Sequence, residues 1–278
     1  MKFKLPIFLI SIFILTSCSM LSSTNIGHFN QAKQTALTTK TEPPEDFIPH
    51  DITIVSAGDS LTEGVGDSTN SGGYIPYLKE KLEDNRGISS AHFFNFGVKG
   101  NRSDQLLTRL NSSKIKTAVR EADMVIVTIG GNDMMQVVRE NFSNLKFRAF
   151  HKQKQKYIEN LEEVINKLRK DNPDGIIVLV GLYNPFLKWF ANISELNVII
   201  DEWNKTSKKT LAKYPNTYFV EIDDLFQKNS EELLYTDYFH PNDKGYELIA
   251  NRVYETLKEG ALNKITERFY TVGNGEKY

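Results

Sequence analysis

A single cysteine stands in the 278 residues, Cys18, close to the amino terminus. One thiol at that position excludes a disulfide framework, a Cys-ligated metal site and a cysteine nucleophile in the body of the chain. Neither HExxH nor GxxxxGK[ST] occurs, so the zinc-peptidase and P-loop readings have no basis. Charge of one sign is also lacking: 34 Lys and Arg against 35 Asp and Glu give a net charge of -1, mixed along the chain. A nucleic-acid surface needs clustered Lys and Arg, and no such partner is expected. No internal repeat is present. The apolar run Leu5 to Leu15 is too short to span a bilayer comfortably as a permanent helix. What remains, 40% hydrophobic and 25% charged, suits one sizeable domain that buries its core without disulfides or metals.

The amino terminus carries Lys2 and Lys4, then the apolar run, then small residues. That is the layout of a secretory signal. Leu15-Thr16-Ser17-Cys18 resembles the lipobox of bacterial lipoproteins. The resemblance implies that residues 1–17 are removed and that Cys18 is acylated as the first residue of the mature chain. An uncleaved anchor helix followed by an incidental cysteine is the alternative. Both readings tether the domain to the outer face of a membrane. Residues 18–50 are rich in Ser, Thr, Asn, Gln and Lys, with Pro43-Pro44 near the end, and read as a flexible tether. The folded domain is expected over 51–260. A tail over 261–278 carries Phe269 and Tyr270 without a clear period.

Five short runs rich in Val, Ile and Phe recur in the domain: Ile52–Ala57, His92–Phe96, Met124–Ile129, Ile176–Val180 and Tyr218–Ile222. Each is bounded by Gly, Asn or Asp, as buried parallel strands are. Helical stripes lie between and after them. One is Tyr157, Leu161, Val164, Ile165 and Leu168; a second is Leu196, Ile199, Ile200 and Trp203; a third, after Pro241, is Tyr246, Ile249, Ala250, Val253 and Leu257. This alternation argues for a parallel sheet with helices on both faces, which places functional residues after strands.

Ser60 follows the first strand directly. A serine needs a base in reach and donors for the oxyanion it generates. Among five histidines, His28 and His50 lie in or beside the tether, His92 begins a strand, and His151 sits among Lys and Gln. Only His240 follows the last strand and precedes the last helix, and Asp237 stands three residues before it, within reach of the ring nitrogen that faces away from the serine. Gly97 and Gly100 follow the second strand, where a glycine N–H can approach a ligand closely. Asn132 follows the third strand and carries a side-chain amide donor.

Taken in order, Gly58-Asp59-Ser60-Leu61, the glycine block around Gly100, Gly130-Gly131-Asn132-Asp133 and Asp237-x-x-His240 resemble the four blocks of the SGNH, or GDSL, hydrolase superfamily. The match runs from Asp51 to about Gly260. It implies an α/β fold, a three-layer α/β/α sandwich of flavodoxin-like type with a five-stranded parallel sheet. It implies Ser60 as nucleophile, His240 as general base and then acid, and Asp237 as its orienter. The oxyanion hole would be the Ser60 and Gly100 N–H groups and the Asn132 side chain, with Gly97 the runner-up to Gly100. The implied substrate is an ester or an acylated small molecule, lipid or glycan, and neither metal nor cofactor is called for. Arg102 departs from the small hydroxyl residue that many relatives carry there. The Gly-x-Ser-x-Gly elbow of the other large hydrolase fold fails at Thr62.

Asp59 and Asp133 read as turn-fixing side chains rather than catalytic ones, and Glu63 has no assignment. Aromatic residues in Met134–Phe150 (Phe142, Phe147, Phe150) and in Tyr183–Phe190 suit either an acyl-chain pocket or a packed cap. Three functions fit: an ester hydrolase, an O-acyl esterase or acyltransferase on cell-wall polysaccharide or envelope lipid, and a non-catalytic binding lipoprotein. Oligomeric state is not legible.

Overall fold

A computed structural model of the chain describes residues 48–141, 146–185, 195–227, 230–258 and 260–266. The signal, Cys18, most of the tether, Phe142, residues 186–190 and residues 267–278 lie outside the described residues. Five strands are present, β1 (His50–Gly58), β2 (Ile88–Gly97), β3 (Met124–Thr128), β4 (Ile176–Val180) and β5 (Thr217–Val220). They form one sheet in the order β2-β1-β3-β4-β5, every pair parallel. This is the expected flavodoxin-like α/β arrangement.

Ten helices, followed by a helical stretch at 261–266, connect and cover the strands among the described residues: α1 (Ser60–Glu63), α2 (Ile75–Glu83), α3 (Ser103–Arg109), α4 (Ser113–Glu121), α5 (Gly131–Glu140), α6 (Phe147–Asp171), α7 (Glu195–Leu211), α8 (Asp223–Gln227), α9 (Ser230–Leu233) and α10 (Asp243–Lys258). Strand residues alternate between the two faces. Val55, Ala57, Val125, Val127, Ile177 and Leu179 face α3 to α7, with Trp203 and Tyr157 stacked at 5.1 Å in that layer. Ile52, Ile54, Met124, Ile126, Ile176 and Val178 face α2 and α8 to α10. The central strands β3 and β4 are buried throughout, which is why they read as unbroken apolar runs.

The edges depart from expectation. β2 begins at Ile88, four residues before the apolar run, because an edge strand with a solvated side can carry Ser89 and Ser90. β5, at the other edge, stops at Val220. The core also runs past Gly260: residues 261–266 are helical, and Ala261, Leu262 and Ile265 are buried in the second layer. Every described core residue lies between Ile52 and Ile265, and Pro43–Tyr278 forms a compact unit by itself.

Candidate active site

The end of β1 is shaped by its neighbour β3. A Cβ on Gly58 would lie 2.1 Å from the Thr128 carbonyl oxygen, so only glycine permits this approach. Asp59 is the N-cap of α1, its Oδ1 accepting from the Leu61 N–H at 3.1 Å and from the Thr128 hydroxyl at 2.9 Å. Thr128 also shares a 2.7 Å hydrogen bond with Thr62. Gly64, in the left-handed region at φ +92, closes the helix after one turn and donates to the Ser60 carbonyl at 3.0 Å. Ser60 is thus the first helical residue, where a backbone N–H has no intrahelical acceptor.

His240 arrives from the loop before α10. Asp237 Oδ1 accepts the backbone N–H groups of Phe239 and His240, both at 3.0 Å, which folds the loop back on its own carboxylate. Its other oxygen lies 2.6 Å from His240 Nδ1, and His240 Nε2 lies 3.0 Å from Ser60 Oγ. The structure therefore brings Ser60, His240 and Asp237 into one hydrogen-bonded line. Ser60 and His240 are buried, while Asp237 keeps one side in solvent. Burial works to raise the Asp237 pKa, but the hydrogen bonds from the His240 ring and the two N–H groups outweigh it and hold the carboxylate below its ordinary range. Tyr183 steadies the loop by donating to the Phe239 carbonyl at 2.5 Å, and the Phe239 ring meets the imidazole edge-on at 4.9 Å.

The proposed donors are less alike. Gly100 has φ +79, with nothing within 4 Å of where a Cβ would point, and no described residue accepts its N–H. Asn132 is buried near the start of α5 and donates one amide N–H to the Asn101 carbonyl at 3.0 Å, which leaves its second N–H for a ligand. Gly97 is otherwise engaged. Its N–H donates to Asn95 Oδ1 at 2.8 Å, and a Cβ there would lie 2.1 Å from the Glu63 nitrogen, so this glycine serves the packing of β2 under α1.

Three supporting residues escape a reading of the sequence. Glu63 accepts the Lys99 N–H and so ties α1 to the loop that carries Gly100. Asn95 donates to the Thr62 carbonyl at 2.8 Å. Arg109 reaches from α3 to Asn101 Oδ1 at 2.9 Å and to the Phe96 carbonyl at 2.7 Å. Their only signal in sequence is nearness to a motif. Asp133 accepts the Ser103 N–H and hydroxyl at 2.9 and 2.5 Å, locking α5 to α3. Arg102 caps α3 and pairs with Asp104 at 3.1 Å. Asp59 has an altered ionisation: full burial, aided by Asp133 and opposed by its hydrogen bonds, pushes its pKa up to about 7.

A cleft opens beside Ser60 with about 540 Å³ of atom-free space, part of it open to solvent. Its wall away from the triad is apolar, made by Ile129, Met134, Val180, Leu182, Tyr183 and Pro185. Of the two aromatic-rich segments, Tyr183 lines the cleft, while Phe150 belongs to the core and Phe147 is exposed on α6. Met134–Phe150 takes in most of α5, residues 142–145, which lie outside the described residues, and the start of α6.

The model of the GDSL-like lipase/acylhydrolase family matches residues 56–248. The protein YpmR of Bacillus subtilis, named as uncharacterized, is 36% identical over 94% of this chain and 99% of its own length. The spore germination lipase LipC of Bacillus licheniformis is 26% identical over 73% of this chain and 94% of its own. Among solved structures, the lipase Lip_vut3 from a goat rumen metagenome superposes with a TM-score of 0.67 at 24% identity, covering 74% of this chain and 97% of that one. The acetylxylan esterase Axe2 of Geobacillus stearothermophilus superposes at 0.58 and 17% identity, over 76% and 95%.

Proposed function

The chain belongs to the GDSL-like lipase/acylhydrolase family and is a carboxylic ester hydrolase, and from that premise we propose that Ser60, His240 and Asp237 carry the reaction through an acyl-enzyme. The carrying observation is the line Asp237–His240–Ser60, with contacts of 2.6 and 3.0 Å. His240 Nε2 takes the Ser60 proton as Oγ attacks the ester carbonyl. The C–O bond to the alcohol breaks, and His240 returns the proton to the leaving oxygen. Water, deprotonated by His240, then adds to the acyl carbon and releases the acid and Ser60. Asp237 keeps the proton on Nδ1 and stabilises the imidazolium between these steps. The oxyanion is held by the Ser60 and Gly100 N–H groups and by the free Asn132 amide hydrogen.

The apolar wall of the cleft favours an acyl chain longer than acetate, since burying each methylene contributes about 0.8 kcal/mol. On this reading the enzyme acts on lipid or lipid-like esters at the outer face of a membrane, held there through acylated Cys18. The lipobox and the signal layout support that location. A second reading, removal or transfer of small acyl groups on cell-wall polysaccharide, draws on a fold shared with an acetylxylan esterase. Labelling with a fluorophosphonate tests the mechanism. Parent protein should be modified at Ser60, and Ser60→Ala should lose both the label and ester hydrolysis. A variant that hydrolyses esters at the parent rate would sink the triad, and a parent that resists the label would favour a binding protein. A chain-length series of esters beside acetylated xylan separates the two substrate readings.

A further inference from the structure

The sheet fixes a level against which the helices can be measured. Tyr157 on α6 donates to the Ile129 carbonyl and packs on Gly130, so it marks the carboxyl edge of β3. Ser207 on α7 shares a 3.2 Å hydrogen bond with Tyr157 and marks the same level. Both helices run down toward the amino ends of the strands, so their first turns stand above this edge, on the side that carries Ser60. Phe147 is ten residues before Tyr157, about 15 Å of helix, and Val198 is nine residues before Ser207, about 13 Å.

The two raised ends meet. Glu202 of α7 accepts from Lys154 at 2.9 Å and lies 3.6 Å from His151 of α6. One turn further up from His151 and Glu202 stand Phe147 and Val198, 45% and 55% exposed. These are apolar side chains at the tip of a wall beside the catalytic cleft.

Charge sets this wall apart from a chain whose overall balance is -1. From 146 to 158 the sequence holds Lys146, Arg148, Lys152, Lys154 and Lys156 and not one Asp or Glu. Four of the five are exposed, and among the described residues only Lys154 pairs with an acid, Glu202. The raised end of α7 carries the opposite sign, with Glu195, Asp201 and Glu202 before its first base, but Asp201 pairs with Lys205 and Glu202 is held by α6. The lower half of α6, by contrast, mixes both signs from Glu159 onward.

We propose that the raised end of α6 forms a basic rim, tipped by Phe147 and by Val198 of the neighbouring α7, that docks the active-site edge on an anionic lipid surface. Cations alone would suit any polyanion. The exposed apolar pair at the crest selects a lipid, because only a bilayer interface lets these side chains leave water while the cations stay among headgroups. Docked in this way, the mouth of the cleft faces the phase that would hold acyl esters. The inference rests on the ester-hydrolase reading for its purpose but not for its test.

Vesicle co-sedimentation of Pro43–Tyr278, which lacks Cys18 and its anchor, tests it directly. The parent should bind vesicles of equimolar phosphatidylglycerol and phosphatidylcholine, weaken as salt rises, and ignore pure phosphatidylcholine. Arg148→Glu with Lys152→Glu should weaken binding at least about twenty-five-fold, from about fivefold per lost surface cation. Phe147→Ser should weaken it about tenfold in a salt-independent way. All three substitutions are exposed, so hydrolysis of a water-soluble short ester and the melting curve should match the parent and report correct folding. Ser60→Ala should bind vesicles as the parent does, which separates this proposal from the catalytic one. Failure of the parent to bind anionic vesicles, or no loss in the charge-reversed variant, overturns it. So does equal affinity for soluble polyphosphate with no effect of Phe147→Ser, which would assign the rim to a polyanion.

Discussion

Asp59 offers the sharpest test of how the nucleophile turn is built. Asp59 is 3% exposed and makes two hydrogen bonds through one carboxyl oxygen. Burial carries its pKa up to about 7 from an ordinary 3.8. The unfolded chain loses this proton near the ordinary value, whereas the native state keeps it until about neutrality. Between those limits the native state binds more protons, so stability is complete in acid and is lost as pH rises toward 7. Over about three pH units, at about 1.4 kcal/mol each, the loss is on the order of 4 kcal/mol. Asp59→Asn keeps the oxygen that caps α1 and removes the charge. It should therefore lie close to the parent near pH 4, where the native carboxyl is neutral and the unfolded one only about half ionised, and exceed it at pH 8. At about 2–4 °C per kcal/mol for a domain of this size, the gap in melting temperature at pH 8 is on the order of 10 °C. Thermal unfolding of Pro43–Tyr278 by circular dichroism at pH 4, 6 and 8 gives the comparison. A gap that stays constant with pH, or that favours the parent in alkali, would refute the burial argument.

Asp237→Asn preserves shape but removes the charge that opposes the imidazolium, so kcat on a short ester should fall by about 10³–10⁴-fold while KM holds. In the parent, the depressed Asp237 pKa means that this carboxylate stays ionised well into acid, so the acid limb of kcat/KM should follow another group, and a limb that Asp237→Asn abolishes would contradict that assignment. Asn132→Ala should lower kcat by about 10²–10³-fold with little change in KM, measured on the same ester.

The legible parts of this chain are those in which chemistry or burial restricts the residue type. β4 is flanked on both sides and buried on both faces, and its apolar run Ile176–Val180 coincides with the strand. β2 has one neighbour and solvent on the other side, so its first four residues, with Ser89 and Ser90 between the buried Ile88 and Ala91, form no unbroken apolar run. Ser60, Asp237 and His240 could be picked out because few residue types do their work and they stand where strands end. Glu63, Asn95 and Arg109 could not, because a carboxylate, an amide or a guanidinium that bonds a distant backbone group leaves no periodicity and no fixed spacing. The helical start of α6 was hidden for a different reason. Lys152 to Lys156 read as a polar stretch, since the first ten residues of the helix stand above the sheet and need little apolar face.

The long contacts explain how a histidine that follows the outer strand β5 meets a serine that follows the inner strand β1. The chain leaves β5 through α8 and α9 and turns back before α10, and this return is fastened to the turn after Ser60. Asp243, the first residue of α10, accepts from the Ser68 N–H at 2.8 Å and from its hydroxyl at 2.5 Å. Tyr246 donates to the Val65 carbonyl at 2.7 Å. A Cβ on Gly66, at φ +96, would lie 2.4 Å from the Pro241 carbonyl oxygen, so the two loops touch backbone to backbone. The 3.0 Å from Ser60 to His240 is thus set by a clamp between residues 64–68 and 241–246 rather than by the triad itself. Glycine at 64 and 66 shapes one side of that clamp: the first ends α1 in a single turn, and the second admits Pro241. The glycines after the Gly-Asp-Ser-Leu segment are therefore part of the same device as the segment. They hold Ser60 at the crevice between β1 and β3, the point where the strand order reverses and where a parallel sheet of this kind takes its ligand.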